Sequence, residues 1–409
     1  MDGEKHMKNK FVNKITGMML AATLVIGSLA GCGAAADQKT ETQAATSAQS
    51  ETAAETANTE QTENGKQTEK GKQTETGQQT ETAEDADTQT ASDSEGTAAA
   101  EGEITVTDQI GREVTLKAPA KKIVSSYYIS TAIAIALGLQ DDLVGIEMKA
   151  DTRELYKKAA PELLELPAVG SGKGINVEET ANLEPDVVIL PKKLKDSVEQ
   201  FEKLDIPVMV VDPETLDNYR DCVSLMGTIA GVSDKASELN DYYQLKMDEV
   251  EEMTRNLTDK PTVYLAAGSS YLSTCTSKMY QNDLIAMAGG TNVSQGLEDG
   301  YWAEVSPEQL LEWNPGYIFA VSYAEYNLTD ITSDAKLSEV QAVKDENVKM
   351  FPSNIEPWDY PTPSSVLGIL WLTHVLHPDL YSAEEYIQEA QDFYQNFFGI
   401  QVEASDLGL

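Results

Sequence analysis

The sequence contains only three histidines, His6, His374 and His377, and only three cysteines in 409 residues. Proteins that bind bare zinc or manganese rely on clusters of histidine ligands. A secreted domain held together by disulfides has more cysteines than this chain. Cys222 and Cys275 could form one bridge or stand as two small buried residues. These scarcities exclude a disulfide scaffold and favour, for any metal, one already held by a chelator.

Motifs of metal and hydrolytic sites are also missing. His374 and His377 stand three residues apart at the end of an apolar helix, where a metal pair would fit, but no third ligand accompanies them. No Gly-x-Ser-x-Gly elbow occurs, and no histidine is placed for catalysis. We therefore predict no metal, no cofactor and no enzymatic activity.

Basic residues are few relative to acidic ones. Lys and Arg number 30 against 68 Asp and Glu, and the formal net charge is −38. A chain of this charge is repelled by phosphate backbones and by anionic lipid headgroups. We therefore expect no nucleic-acid partner and no direct electrostatic attachment to a membrane.

The first 32 residues are predicted to form an export signal. Lys8, Lys10 and Lys14 precede an uncharged apolar stretch that is too short and too rich in Gly and Ala to span a membrane comfortably. The stretch ends in "LAGC", which resembles the lipobox of bacterial lipoproteins. That resemblance implies cleavage before Cys32 and a lipid on its sulfur. An ordinary secretory signal containing a cysteine is the alternative, and translation could start at Met1 or Met7.

Residues 33–103 are predicted to be a disordered tether. They consist mainly of Thr, Glu, Gln, Ala, Gly and Ser, and "QTENGKQTEKGKQTETGQQTETAE" repeats every six residues from Gln61. Such a segment cannot bury enough apolar surface to offset the entropy lost on ordering. A flexible chain of this length has a mean span of roughly 45 Å.

The rest of the chain is predicted to be an α/β protein. "ITVTDQIGREVTL" has the alternation of a β-hairpin around Gly111. Strands and helices then alternate up to residue 233, and the strands are nearly continuous apolar runs. This pattern is typical of parallel sheets covered by helices on both faces.

A long helix is predicted to divide this region. Residues 234–257 keep a helical period without a break, and the alternation of strands and helices resumes after them. The predicted domains are therefore an N-terminal α/β lobe over 104–233, a linking helix over 234–257 and a C-terminal α/β lobe over 258–409.

Several stretches resemble a known family. "ITVTDQIGREVTLKAPAKKIVS", "VGSGKGINVEETANLEPDVVIL", "EVSPEQLLEWNPGYIF" and "VLGILWLTHVLHPDLY" are similar to substrate-binding proteins of ABC importers for iron–siderophore, haem and vitamin B12 ligands. The resemblance implies two Rossmann-like three-layer lobes joined by a single long helix, with the ligand cleft between them. It also implies a monomer that performs no chemistry. Together with the lipobox, it implies a lipid anchor on the extracytoplasmic face of the cell membrane, at a cell surface of the Gram-positive type. Its partners would be a permease and its ATPase.

One sequence pattern, a glutamate seven residues before a proline, occurs twice. Glu178 precedes Pro185 by seven residues, Glu308 precedes Pro315 by seven, and an apolar run follows each proline. Family members use one acidic residue on each lobe to dock with arginines of the permease, and the resemblance assigns this role to Glu178 and Glu308. Their neighbours, Glu179 and Glu304, are alternative assignments.

The ligand site is predicted in the loops that follow the strands, since ligands of open α/β sheets lie beyond the carboxyl ends of the strands. These loops are aromatic, and Tyr and Trp suit a large, partly apolar chelate. The candidates are Tyr127, Tyr128, Ser171, Lys173, Ser270, Tyr271, Tyr301, Trp302, Trp358 and Tyr360.

The identity of the ligand stays open at this point. We expect an iron chelate of the siderophore type or a related metal complex. Basic residues in the candidate loops are few, and a strongly anionic catecholate complex would need more of them. The alternative ligands are a cobamide, haem or an oxyanion. An alternative role for the protein is that of a surface ligand sensor or adhesion lipoprotein with the same fold.

Overall fold

The structure is a computed structural model that describes residues 102–409. The predicted signal peptide with Cys32, and the predicted tether except for its last two residues, lie outside the described residues. The described residues start with the predicted β-hairpin, in which β1 (Ile104–Thr107) pairs antiparallel with β2 (Glu113–Leu116). The carboxylate of Asp108 holds the turn, because its Oδ1 accepts from the backbone amides of Ile110 and Arg112 at 3.1 and 2.9 Å.

The N-terminal half is built on one six-stranded sheet with the order β6-β5-β4-β3-β7-β8. All neighbouring strands are parallel except β6, which returns antiparallel to β5. The side chains of the central strands are buried on both faces, which confirms the prediction from their continuous apolar runs. The strands are β3 (Ile123–Ser125), β4 (Leu143–Glu147), β5 (Ala168–Ser171), β6 (Gly174–Ile175), β7 (Val187–Pro191) and β8 (Val208–Val211).

Five helices accompany this sheet. The longest, α5, ends at Gly231, whose φ of 71° is readily adopted only by glycine. The helices are α1 (Tyr128–Ala136), α2 (Glu154–Ala159), α3 (Val177–Asn182), α4 (Val198–Glu202) and α5 (Leu216–Ala230).

A single helix of 22 residues, α6 (Ser233–Thr254), follows α5 and leads to the second sheet. It begins one residue before the predicted start and ends three residues earlier than predicted. Its buried side chains recur every three or four residues, as expected for a helix with one apolar face. From that face the hydroxyl of Tyr243 lies 2.8 Å from the carbonyl oxygen of Thr362 and 2.9 Å from Oγ of Ser365.

The C-terminal half contains a mixed sheet with the order β12-β10-β9-β13-β14, and β11 also pairs with β9. The pairs of β9 with β11 and β13, and of β13 with β14, are parallel, whereas β10 runs antiparallel to both β9 and β12. Only the loop 267–272 joins β9 to β10, and a loop that short permits a hairpin but no crossover helix. The strands are β9 (Thr262–Ala266), β10 (Ser273–Cys275), β11 (Thr291–Asn292), β12 (Trp302–Glu304), β13 (Tyr317–Ala320) and β14 (Val348–Met350).

The C-terminal half has six helices. The last two pack on each other and on the shared core, and α11 is buried nearly all round. Within residues 102–409, no helix combines the length and the hydropathy of a membrane span. The helices are α7 (Tyr280–Met287), α8 (Pro307–Trp313), α9 (Leu328–Thr332), α10 (Gln341–Lys344), α11 (Ser365–Leu376) and α12 (Ala383–Phe398).

The scarce sulfur and imidazole groups have structural roles. Cys222 and Cys275 are both buried free thiols, so the alternative of one bridge is wrong. Nδ1 of His374 lies 2.7 Å from the carbonyl oxygen of Tyr381, and Nε2 of His377 lies 3.3 Å from that of Gly289. Residues 102–409 contain no cluster of three or more His, Cys, Asp or Glu side chains that could hold a metal ion.

Candidate ligand cleft

The carboxyl ends of the N-terminal strands place five polar or aromatic side chains along one edge of the sheet. Carboxyl ends of parallel strands meet at the same edge, which is where ligands of such sheets bind. Two strands contribute residues that the sequence analysis did not select, Arg153 after β4 and Glu214 after β8. The five side chains are Tyr127, Tyr128, Arg153, Lys192 and Glu214.

The C-terminal sheet contributes the loops after β9, β13 and β14. The loop after β9 carries Gly268, where an added Cβ atom would lie 2.7 Å from the ring of Tyr323. A glycine therefore lets the loop after β13 pack closely, and the amide of Glu325 donates to the carbonyl oxygen of Gly268 at 2.8 Å. The loop after β14 carries Asp359 and Tyr360.

The two sets of loops meet in a row of four tyrosine rings. Tyr127 and Tyr128 pack edge to face with centroids 5.1 Å apart, and Tyr128 lies 5.5 Å from Tyr360. Tyr360 in turn stacks on Tyr323 at 4.6 Å. We call these four residues the tyrosine row; it joins the carboxyl edge of the first sheet to that of the second.

Arg153 lies at one side of the tyrosine row. Its guanidinium carbon is 4.5 Å from the ring centroid of Tyr128, a cation–π contact. Beside it is a cavity of about 20 Å³, enough for one water molecule, lined among others by Tyr128, Tyr156, Glu356 and Tyr360. Among the four arginines of the described chain, Arg153 alone forms no side-chain hydrogen bond or ion pair with a described residue, and its buried Nε has no acceptor.

Two buried carboxyl groups lie near Arg153 without pairing with it. Glu147 accepts hydrogen bonds from the hydroxyls of Tyr156 at 2.6 Å and Thr131 at 2.7 Å. Burial raises the pKa of Glu147, and it raises that of Glu356 to about 7. Glu356 accepts from the hydroxyl and the amide of Ser364. Since other donors already serve both carboxyl groups, the positive charge of Arg153 stays available to a ligand.

A third buried carboxyl group contacts the tyrosine row. Oδ2 of Asp359 accepts from the hydroxyl of Tyr323 at 2.8 Å, whereas Oδ1 has no partner. Burial raises the pKa of Asp359 to about 7. Oε1 of Gln281 and the hydroxyl of Tyr326 are likewise buried without a partner. Unsatisfied buried acceptors are uncommon in folded proteins, so this cluster marks a place where a donor is expected.

The far end of the tyrosine row is acidic. Lys192 pairs with Asp212 at 2.6 Å, and burial followed by the charge of Asp212 raises the pKa of Glu214. Burial and then the carboxylate of Glu214 raise the pKa of the Tyr127 phenol. Sequence reasoning overlooked both Arg153 and Glu214 because it looked for rings, although their positions after β4 and β8 could have identified them.

The structure brings three of the predicted ligand residues together, namely Tyr127, Tyr128 and Tyr360. Tyr301 and Trp302 lie at the edge strand β12 and are 42% and 39% exposed. Burial and then the charge of Asp212 raise the pKa of Tyr301.

The remaining predicted ligand residues are not part of the tyrosine row. Tyr271 packs on Tyr326 and donates to Asp334 at 3.2 Å. Oγ of Ser270 accepts from the amide of Leu272 at 3.1 Å, which stabilises its own loop. Ser171 and the exposed Lys173 form the turn between β5 and β6, where Oγ of Ser171 accepts from the amide of Lys173 at 3.2 Å.

Trp358 belongs to the core and does not line the cleft. Its side chain is fully buried, and its indole N–H donates to the hydroxyl of Tyr394 on α12 at 3.1 Å. The backbone of Trp358 also touches α11, since a Cβ added at Gly368 would lie 2.3 Å from its carbonyl oxygen. A buried indole needs both apolar neighbours and an acceptor for its N–H, and here the core supplies both.

Glu178 and Glu308 lie in equivalent settings on the surface. Each is the second residue of a short helix, α3 or α8, and each side chain is exposed. The strands that follow these helices, β7 and β13, occupy corresponding positions in the two sheets, each next to an edge strand. The two copies of the sequence pattern therefore have the same local structure, a short helix followed by a strand, whereas the docking role of the two residues stays a prediction.

A family model described as a periplasmic binding protein matches residues 123–355, which is more than half of the chain. The chain belongs to this family. The molybdate-binding protein MolA of Haemophilus influenzae is 26% identical over 319 residues, covering 72% of this chain and 90% of the relative.

Two further curated relatives are an uncharacterized ABC transporter substrate-binding lipoprotein, YvrC of Bacillus subtilis, and the vitamin B12-binding protein of Yersinia pestis. YvrC is 24% identical over 289 residues, which is 68% of this chain and 87% of its own length. The vitamin B12-binding protein is 26% identical over 208 residues, or 50% of this chain and 71% of its own.

Solved structures of periplasmic binding proteins share the fold. A solute-binding protein of Veillonella parvula superimposes with a TM-score of 0.65 at 25% identity and covers 75% of this chain and 95% of its own. Molybdate-bound MolA gives a TM-score of 0.65 at 23% identity, with 73% and 99% covered. The nickel–histidine complex of CeuE from Helicobacter pylori gives 0.64 at 20%, with 73% and 96% covered.

These findings establish the general role of this periplasmic binding protein. Its relatives include substrate-binding proteins of ABC transporters, and a cognate permease and ATPase are its implied partners. The family binds solutes and catalyses no reaction, so the prediction that the chain is not an enzyme is confirmed.

Proposed function

We propose that this periplasmic binding protein is the lipid-anchored, extracytoplasmic component of an ABC importer, and that it captures a metal chelate with an anionic group. Two lobes, joined by the linking helix α6, would hold the ligand between the carboxyl edges of their sheets. The observation that carries the proposal is the unpaired guanidinium of Arg153 against the tyrosine row.

An arginine without a partner among the described residues is unusual in this protein. The chain has a formal net charge of −38, so acidic partners for a guanidinium are abundant. Each of the other three arginines pairs with a carboxylate or donates a hydrogen bond to a side-chain amide oxygen. A guanidinium that stays unpaired near buried carboxyl groups is suited to an external anion, which it can bind through two parallel hydrogen bonds.

The tyrosine row supports a chelate as the bearer of that anion. Four phenol rings offer broad apolar faces together with hydroxyl groups, which suits a ligand that wraps a metal in an organic shell. Residues 102–409 contain no cluster of side chains that could bind a bare metal ion. The metal is therefore proposed to arrive already enclosed by the ligand.

A second candidate ligand is a small oxyanion. The cavity beside Arg153 measures only about 20 Å³, which a compact anion would enlarge far less than a siderophore complex would. MolA, a relative with 26% identity, is named for binding molybdate. The two candidates share Arg153 as the anion-binding group and differ in their use of the tyrosine row.

Titration of the purified protein tests both candidates. Its tryptophan fluorescence is followed against ferric hydroxamate and catecholate complexes, ferric citrate, haem, cobalamin and molybdate. Saturable quenching by a ferric complex supports the chelate. Quenching by molybdate alone supports the oxyanion, and silence across the whole panel contradicts both.

The membrane attachment is proposed to come from Cys32. The motif that carries this proposal lies outside the described residues, so its test is chemical. The protein expressed in a bacterium should partition into the detergent phase, and Cys32→Ser should move it to the aqueous phase. A wild-type protein found only in the aqueous phase contradicts the lipid anchor and leaves the solute-binding role untouched.

A further inference from the structure

The cavity beside Arg153 is lined by polar residues from both halves of the protein. Arg153 directly precedes helix α2, and Glu356 and Thr362 belong to the loop that follows β14. The amide of Leu155 donates to the carbonyl oxygen of Ile355 at 3.2 Å, which holds this loop against α2. The volume of about 20 Å³ accommodates one water molecule or one oxygen atom of a ligand.

Two polar atoms of the residues around this cavity are buried without a partner. They are Nε of Arg153, which is a donor, and Oγ1 of Thr362, which can donate or accept. Neither has a partner with hydrogen-bond geometry among the described residues. Such atoms are uncommon in folded proteins. Because both residues line the same cavity, an oxygen atom placed there is the partner that the fold leaves room for.

The carboxyl group of Glu356 is the third polar group at the cavity. Its Oε2 accepts from the hydroxyl and the amide of Ser364, whereas Oε1 has no hydrogen bond with a described residue. Burial raises the pKa of Glu356 to about 7, so the group is largely neutral in mildly acidic solution. A neutral carboxyl group has one O–H donor, and Oε1 is the oxygen that is left to carry it.

The other titratable groups that face Glu356 do not change charge near neutral pH. On the core side, burial and then the charge of Glu356 raise the pKa of Tyr219 on α5 and of Tyr394 on α12. Burial also raises the pKa of the three phenols that line the cavity, so all of these phenols stay neutral. The guanidinium of Arg153 stays charged. The three lining phenols are Tyr128, Tyr156 and Tyr360.

Arg153 and Glu356 therefore place a positive charge and a titratable proton donor beside one small cavity. A neutral Glu356 can donate to an anionic oxygen that the guanidinium also holds. An ionised Glu356 would instead repel the anion and attract the guanidinium itself. Binding of an anion and binding of a proton thus favour each other here, and by linkage each raises the affinity for the other by the same factor.

We propose that this cavity is the anion subsite of the cleft: it takes one oxygen atom of an oxyanionic group, which Arg153 binds by charge and Glu356 binds by donating its carboxyl hydrogen. Where Glu356 is ionised in the free protein, anion binding takes up one proton from the solvent. This inference rests on the proposed function, because it assigns the regulation of the same anion-binding group. Capture of the anion is then tightest in acidic surroundings and weakens as the pH rises.

Calorimetric titration with molybdate tests the inference. Molybdate remains a dianion between pH 6 and pH 8, so its own protonation does not contribute to the result. The Kd of the wild-type protein should rise roughly five- to tenfold between these two pH values, as expected for the loss of one proton. Titration at pH 7.5 in two buffers of different ionisation enthalpy should show that binding takes up protons.

Glu356→Gln removes the titration and keeps an N–H donor in place of the carboxyl hydrogen. The Kd of this variant should change less than twofold between pH 6 and pH 8, and its proton uptake should vanish. Glu147→Gln is the matched control, since it removes a buried carboxyl group that does not line the cavity. Both oxygens of Glu147 already accept, from Tyr156 and Thr131. The control should keep the pH dependence of the wild-type protein.

Four outcomes overturn the inference. They are an affinity for molybdate that does not change with pH, a pH dependence that survives in Glu356→Gln, an equal loss of pH dependence in Glu147→Gln, and the absence of molybdate binding at millimolar concentration. If Glu356→Gln fails to fold, the wild-type protein decides the question, because zero proton uptake at pH 7.5 also overturns the inference.

The failure of this inference can be told apart from the failure of the proposed function. If molybdate binds without taking up protons, or if a ferric complex binds and molybdate does not, the solute-binding proposal stands and only the proton-linked subsite falls. If no member of the panel binds, both fall.

Discussion

Glu178 and Glu308 occupy the same position, the second residue, in two helices that end in the same way. Asn176 and Ser306 cap these helices by accepting hydrogen bonds from the amides of Glu179 and Gln309 at 3.2 and 3.1 Å. Each helix is closed by a left-handed residue directly before a proline, with φ values of 50° at position 184 and 44° at position 314. A carboxylate in the first turn is stabilised by the helix dipole and stays charged at the surface.

Charge reversal at these two positions tests the proposed docking to the permease. Glu178→Lys and Glu308→Lys should each reduce uptake of the bound ligand by roughly tenfold or more, because like charges facing each other cost several kcal/mol. Ligand affinity measured on the purified variants should not change, since both side chains are exposed and neither belongs to the tyrosine row.

The matched control for docking is Glu312→Lys, which lies on the same helix as Glu308. It should leave uptake close to that of the wild-type protein. Full uptake by the double variant of Glu178 and Glu308 would contradict the docking role, whereas a parallel loss of ligand binding would place these residues in the ligand site instead.

The architecture was predictable from the sequence wherever the pattern of apolar residues is local. The hairpin around Gly111, the buried strands β7 and β8 and the long helix α6 all follow from such patterns. The antiparallel β10 was not predicted, because its direction depends on the length of the loop from β9 and not on its own residues.

The ligand site was less predictable, because it depends on which side chains meet across the fold. Tyr128 and Tyr360 are far apart in sequence, and only the structure shows their contact at 5.5 Å. Trp358 is an aromatic residue of the same loop as Tyr360, so the sequence favours both equally as ligand residues. In the structure, however, the indole N–H of Trp358 donates to Tyr394 in the core. The residues that flank Arg153 in the sequence form no recognisable motif. Its importance becomes visible only in the structure, where its side chain has no acceptor among the described residues.

Replacing Arg153 tests the anion-binding group. Arg153→Gln should weaken binding of a chelate or oxyanion by about 2 kcal/mol, or roughly thirtyfold in Kd, which is typical for loss of hydrogen bonds to a charged group. Arg153→Lys should restore only part of the affinity, because an ammonium cannot form the paired hydrogen bonds of a guanidinium. Calorimetry on both variants gives the comparison.

Arg255→Gln is the control for Arg153, since it removes an equal charge from an exposed residue paired with Glu252. The Arg255→Gln variant should bind the ligand with the same affinity as the wild-type protein. An equal loss in both variants would mean that net charge, and not the cation at Tyr128, determines affinity.

The core position of Trp358 predicts a stability effect without a binding effect. Trp358→Phe removes the hydrogen bond to Tyr394 and part of the packed volume, and should lower the free energy of unfolding by about 1–3 kcal/mol. Urea unfolding followed by circular dichroism measures this change, and calorimetry should show unchanged ligand affinity. A variant with wild-type stability and weakened binding would return Trp358 to the ligand site.

The buried carboxyl group of Asp359 predicts how stability depends on pH. Burial raises its pKa from 3.8 to about 7 in the folded protein, so the folded state holds a proton between these values that the unfolded state has lost. The contribution of this group to stability is therefore complete below about pH 4 and is lost as the pH rises through about 7.

Asp359→Asn removes this titration, so the free energy of unfolding of the variant should rise relative to the wild-type protein as the pH increases from 5 to 8. One proton accounts for a slope of at most about 1.4 kcal/mol per pH unit. Glu356→Gln should show the same sign, since burial raises the pKa of Glu356 to about 7 as well. Urea unfolding at several pH values measures both differences. A difference that is constant with pH would mean that Asp359 keeps its charge in the folded protein, with a cation or a donor group beside Oδ1.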